Sequence, residues 1–181
     1  MIEFRDLRAD EIEVRVQSVQ KDGKGLVLLL YKNARCDMNI LDETVGAENW
    51  QREHYECKGN LFCRVGIRVE HETEQSEWVW KSDCGVESNT ESEKGEASDS
   101  FKRACFNWGI GRELYTAPFI WVPSYKCTPF VNNKCYDKFA VEKVVIKDKK
   151  IVAISIVNTS FKATNLAEKR CFVMMPPEEK K

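Results

Sequence analysis

Leu61-Phe62-Cys63-Arg64-Val65-Gly66-Ile67-Arg68-Val69 is the stretch that decides the fold. Leu61, Cys63, Val65, Ile67 and Val69 alternate with Phe62, Arg64, Gly66, Arg68 and Glu70. Side chains of a strand point alternately to its two faces, so this is a half-buried strand with two arginines on its outer face. Upstream, residues 51–57 form a second strand, joined to the first by the turn signal Lys58-Gly59-Asn60. Downstream, polar residues 72–77 turn the chain, and Trp78-Val79-Trp80 opens a third strand that ends near Gly85. Short polar connections between sequential strands imply an antiparallel meander. A helix follows: Thr90 and Glu93 have capping-box spacing, and Gly109 marks the stop.

Outward from this β-β-β-α core, the N-terminal side supplies an extra strand and helix. Residues 7–19 are ambiguous, because Ile12, Val14 and Val16 alternate while Ile12, Val16 and Val19 also fit a helical face. The glycines of residues 21–25 signal a turn, residues 26–31 read as a buried strand, and residues 33–45 as a helix stopped by Gly46. On the C-terminal side, Pro118, Pro123 and Pro129 mark an irregular segment. Residues 140–147 and 150–158 then form a β-hairpin about Asp148-Lys149. The expectation is an α+β fold in a single domain over residues 1–175, with a frayed tail at 176–181.

Composition narrows the class. Of 181 residues, 43% are hydrophobic and 31% charged, with five Trp, nine Phe and five Tyr. That excludes a wholly disordered chain, a collagen-like repeat and a coiled coil. No apolar run approaches the ~20 residues of a membrane-spanning helix, and the charged N-terminus lacks a signal-peptide core. The chain therefore reads as cytoplasmic, with no membrane partner and with its eight cysteines reduced. Net charge is −1, but the halves differ. Residues 1–100 hold 13 Lys and Arg against 22 Asp and Glu, and residues 101–181 hold 15 against 7. Only the second half offers a bulk basic surface for phosphates. The asymmetry equally allows head-to-tail contact between copies, or a patchy surface once folding mixes the halves.

At 100° per residue, Ala97, Phe101, Ala104, Cys105 and Trp108 share one narrow sector of the long helix, the face packed on the sheet. Asp99, Lys102, Arg103 and Phe106 fall opposite. An aromatic ring flanked by cations suits single-stranded nucleic acid, with charges on phosphates and the ring stacked on a base. The competing reading places Phe106 in a subunit interface between ordinary solvated charges. Other motifs carry less. Gly109-Ile110-Gly111 sits at a helix end, and Gly23-Lys24-Gly25 lacks P-loop spacing, so no nucleotide site is expected. His54, Cys57, Cys63 and His71 have no Cys-x-x-Cys pair to suggest zinc. The same two histidines lack a nucleophile motif, and Glu91 and Glu93 read as helix N-terminal charges, so no catalytic residue, metal or cofactor is expected.

The segment ending Val45-Gly46-Ala47-Glu48-Asn49-Trp50, the meander, and then Glu93-Lys94-Gly95-Glu96-Ala97-Ser98-Asp99-Ser100-Phe101-Lys102-Arg103-Ala104 before Gly109 resemble the Rad52/Rad22 superfamily of single-strand annealing proteins. The similarity is greatest to its short bacterial and phage (Sak-type) members and covers about residues 7–125. It implies side-by-side subunits in a ring or helical array, with single-stranded DNA in a basic outer groove, backbone inward and bases exposed. It implies that no nucleotide is hydrolysed. The family's Lys-Arg pair falls on Lys102 and Arg103, and its basic residue at the start of the earlier helix falls on Arg35 or, by simple alignment from Trp50, on Cys36. A further basic position of eukaryotic relatives falls on Phe106, where this sequence departs from the pattern. Arg64 and Arg68 are second-line DNA or interface candidates. The expected function is ATP-independent binding and annealing of single-stranded DNA in recombination and repair. The expected partners are single-stranded DNA, further copies of the chain and a single-strand DNA-binding protein, in a bacterial or phage setting. The rival readings are a coating or recombinase-loading protein without annealing, an oligomeric assembly protein, and a metal-dependent nuclease.

Overall fold

The computed structural model describes residues 2–70, 76–86 and 92–176, with side chains of the last stretch from 95 onward. The elements run β1 (Glu13–Val19), β2 (Gly25–Tyr31), α1 (Ala34–Val45), β3 (Trp50–Cys57), β4 (Asn60–Glu70), β5 (Ser76–Cys84), α2 (Ser92–Trp108), β6 (Ile120–Pro123), β7 (Phe139–Lys147), β8 (Lys150–Asn158), α3 (Leu166–Lys169) and β9 (Arg170–Met174). Every strand pairing is antiparallel, and the fold is α+β. The chain forms two compact units: Met1–Arg5 with Lys32–Gly111, and Asp6–Tyr31 with Arg112–Lys181. The capping box at Thr90, His71, Glu91, the Glu93 side chain and residues 177–181 of the tail lie outside the described residues.

The first unit contains the three-stranded sheet β3-β4-β5, with α2 across β4 and β5. The β3–β4 turn is tight because Lys58 (φ 53°) and Gly59 (φ 75°) both adopt the left-handed region, the geometry that matches strand twist. Cys63, Val65 and Ile67 are fully buried, as are Phe101, Ala104 and Cys105 of α2. Burial of side chains such as Val65, Ile67 and Phe101 contributes about 1.5–3 kcal/mol each. The indole Nε1 of Trp108 donates to the Val65 carbonyl at 2.9 Å and fixes the helix along the strand. The end of β5 meets α2 backbone to backbone at Gly85. A Cβ there would lie 2.2 Å from the Glu96 carbonyl oxygen, so Gly85→Ala would push the helix away. In α1, the Asn33 side chain caps the Cys36 amide at 3.0 Å, and Gly46 (φ 83°) ends the helix.

The second unit is a six-stranded sheet of order β6-β2-β1-β7-β8-β9. Leu26, Leu28 and Leu30 of β2 and Ile151, Ile154 and Ile156 of β8 are buried in it. The ambiguous N-terminal stretch becomes strand β1 because it pairs with neighbours on both sides, β2 and β7. The proline-marked segment is not wholly irregular. Ile120 and Val122 are buried in β6, which lies on the sheet edge, where a terminal Pro123 is tolerated. The expected late hairpin is β7–β8, turning at Asp148 (φ 51°) and Lys149 (φ 58°). The short edge strand β9 gave no pattern of its own in the sequence.

Candidate nucleic-acid interface

Strand register sorts the side chains of the first unit onto two faces. Across the sheet, Arg52, Val65 and Lys81 are direct partners, as are His54, Cys63 and Asp83. Since Cys63 and Val65 are buried against α2, these rows face the helix. His54 Nε2 lies 3.0 Å from the Ala97 carbonyl, and the Arg52 guanidinium sits 4.8 Å from the Phe101 ring centroid. Lys81 donates to the Asn107 carbonyl at 3.0 Å and lies 4.4 Å over the Trp108 ring. Burial pushes the Cys63 thiol up to about 11, so it stays protonated among these cations. Cys57 is exposed.

Lys102 and Arg103 stand side by side on α2, each against a carboxylate. Lys102 Nζ lies 3.7 Å from Asp99, one helical turn back, and Arg103 Nε lies 3.3 Å from Asp83 of β5. The Lys102 and Arg103 side chains are 23% and 41% exposed, although the Arg103 Nε that faces Asp83 is buried. Exposed ion pairs are weak, of order 0–1 kcal/mol.

Phe106 is not the open platform that the helical wheel implies. The wheel sees only its own helix, and Lys32 covers the ring, with Nζ 4.2 Å from the centroid. Phe106 is half-buried.

Lys32 belongs to a feature that sequence reading missed. It is 1% exposed and makes an ion pair with Asp37, which is fully buried. Lys32 Nζ also donates to the Lys102 carbonyl at 3.3 Å. Burial pushes the Asp37 carboxyl up to about 6, with the Lys32 ammonium opposing the shift. Residues 32 and 37 bracket Arg35, which is exposed in the first turn of α1. The buried pair therefore ties the turn that carries Arg35 to the backbone of α2 at Lys102. The one sequence signal for it was a lysine directly after an apolar strand, with an acid five residues on.

Arg64 and Arg68 alternate with the buried row and so lie on the other face of the sheet. Arg64 donates twice to Glu53 Oε2, at 3.0 and 2.6 Å, and stacks 4.5 Å over the Trp80 ring. Tyr55 stacks on Phe62 at 5.5 Å on this face, and Trp78 and Arg68 are exposed. The six candidates thus divide. Lys102 and Phe106 meet Lys32 beside the turn that carries Arg35, Arg103 lies on the β5 side of α2 against Asp83, and Arg64 and Arg68 are on the other face of the sheet.

A family model described as Rad52/22 family double-strand break repair protein matches residues 5–128, more than half of the chain. The chain belongs to the Rad52/22 family. Comparison with curated proteins and with solved structures gave no match. The Rad52/22 match runs from before β1 through α1, the three-stranded sheet, α2 and β6, and so contains all six candidate residues. Membership makes this a DNA-binding protein of recombination and repair, of a family that anneals single strands rather than acting as conventional enzymes. No helix among the described residues is long and apolar enough to cross a membrane.

Proposed function

We propose that this Rad52/22 chain binds single-stranded DNA along the α1–α2 side of its first unit and pairs complementary strands without consuming ATP. The observation that carries the reading is the adjacent, part-exposed pair Lys102 and Arg103, held in place by Asp99 and Asp83. Two phosphates taking the place of those carboxylates would be neutralised with little rearrangement. Arg35, tethered through Lys32 to the same stretch of α2, supplies a third cation. Contacts to the backbone alone leave base edges open to a second strand, and counterion release makes the affinity fall with salt. The chemistry needed is positional, with no bond to break.

An array of copies extends the run of presented bases, so the working form is a homo-oligomeric ring or helical array. Unit composition supports it. The first unit has 11 Lys and Arg against 17 Asp and Glu, and the second has 17 against 12, so unlike charges can meet between copies. The sequence around α2 supports a short bacterial or phage member that works in the host cytoplasm beside a single-strand DNA-binding protein.

The test is fluorescence-monitored pairing of two labelled complementary oligonucleotides with no ATP present. Pairing accelerated by the wild-type chain and lost in Lys102→Ala/Arg103→Ala supports the reading. Binding without acceleration would replace annealing with strand coating, and no binding at low salt would leave an assembly protein.

A further inference from the structure

We propose that Cys127, Cys135 and Asp137 form a binding site for a thiophilic divalent cation of the zinc type in the second unit. One ligand atom from each residue lies within 4.8 Å of the others. Thiolate and carboxylate ligands at about 2.3 and 2.0–2.2 Å from a tetrahedral zinc ion fall within that spacing of one another. The chain between β6 and β7 is shaped to bring them together. Asn132 (φ 50°) and Asn133 (φ 58°) make a tight turn closed by the Val131–Lys134 bridge, which folds Cys135 back toward Cys127.

The carboxylate is aimed before any ion arrives. Asp137 Oδ2 accepts from the Thr128 amide at 2.8 Å and from Asn158 Nδ2 at 2.7 Å, and Oδ1 accepts from the Thr128 hydroxyl at 2.5 Å. Asn158 is fully buried at the end of β8 and also donates to the Lys126 carbonyl at 2.9 Å. Outer hydrogen bonds of this kind orient metal ligands.

A dication bound here takes both sulfurs as thiolates and releases two protons to solvent. Three protein ligands leave one tetrahedral position for water. The ion would add a further tie to a segment held by the Val131–Lys134 bridge and the Asp137 hydrogen bonds.

The experiment titrates the full chain with Co²⁺ and reads the thiolate charge-transfer and visible d–d absorption. One tight site per chain is expected, displaced by Zn²⁺, lost in Cys127→Ser and Cys135→Ser, and kept in Cys57→Ser at the exposed cysteine. Thr128→Val keeps all three ligands but removes a carboxylate donor, and should weaken binding about 10–100-fold. That variant decides the matter if the serine variants fail to fold. Absence of a stoichiometric site, or a site that survives with its affinity intact in Thr128→Val, overturns the proposal. So does a thiol count showing Cys127 and Cys135 joined as a disulfide in protein purified under reducing conditions.

Discussion

The two units carry opposite net charges. The first carries a net charge of −6 and the second +5, yet it is the acidic unit that gathers the candidate DNA-binding cations. In it, Lys102, Arg103 and Arg64 each face a carboxylate, Lys32 is sealed against Asp37, and Arg52 and Lys81 lie over rings. In the second, Arg170 pairs with Glu142 and Lys149 with Asp6, while Lys147 and Lys150 are exposed register partners that flank the β7–β8 turn. On the proposed reading, the basic site is made by fixing cations in exchangeable pairs rather than by accumulating them. A bulk excess attracts any polyanion, whereas a held pair presents charge at one spacing.

The largest effect should come from the buried pair. Lys32→Met leaves the Asp37 charge sealed without its partner, and should lower unfolding free energy by about 3–5 kcal/mol in denaturant titration. Lys32→Met with Asp37→Leu should restore most of that loss; if it does not, the pair is more than a packing element. A pH series sharpens the point. Asp37 titrates near 6 in the folded chain against an ordinary 3.8, so its contribution is fully present below 3.8 and is lost as pH rises through about 6. Wild type should therefore gain stability relative to Asp37→Asn as pH falls from 7 to 4.

Next in size is Lys102→Ala/Arg103→Ala. Affinity for single-stranded DNA should fall about tenfold at moderate salt, and the slope of log affinity against log salt should shrink by about 1.4, or 0.7 per lost phosphate contact. The opposite change, Asp83→Asn with Asp99→Asn, frees both cations and should tighten binding a few-fold at low salt. Weaker binding there would mean that the carboxylates position the cations more than they compete with phosphate. The smallest effect belongs to Lys147→Ala/Lys150→Ala, expected within about twofold. A large loss there would move the DNA to the second unit.

Strand alternation in residues 61–69 and the apolar sector of α2 were both legible, because each depends on a period that one element sets for itself. The sequence therefore supplied the β-β-β-α core, its buried row and the helix that carries Lys102 and Arg103. What it could not supply depends on two elements meeting. Lys32 over Phe106 joins the residue just after β2 to a helix some seventy positions later, and no period links them. Arg52 and Lys81 look like ordinary outer charges until register places them beside Val65. The cysteines at 127 and 135 showed no ligand spacing, because a turn of two asparagines, not a short Cys-x-x-Cys loop, brings them together.

The order β6-β2-β1-β7-β8-β9 has a consequence for synthesis on the ribosome. Residues 32–111 of the first unit are continuous apart from its first five residues, so that unit can close soon after Gly111 emerges. β1 and β2 are made earlier, yet β2 waits for β6 and β1 for β7, across an insertion of eighty residues. During that wait the β1–β2 hairpin offers two open edges to any other nascent chain. Copies translated close together would meet with those edges exposed, and a chain released at residue 128 would never cover the β1 edge.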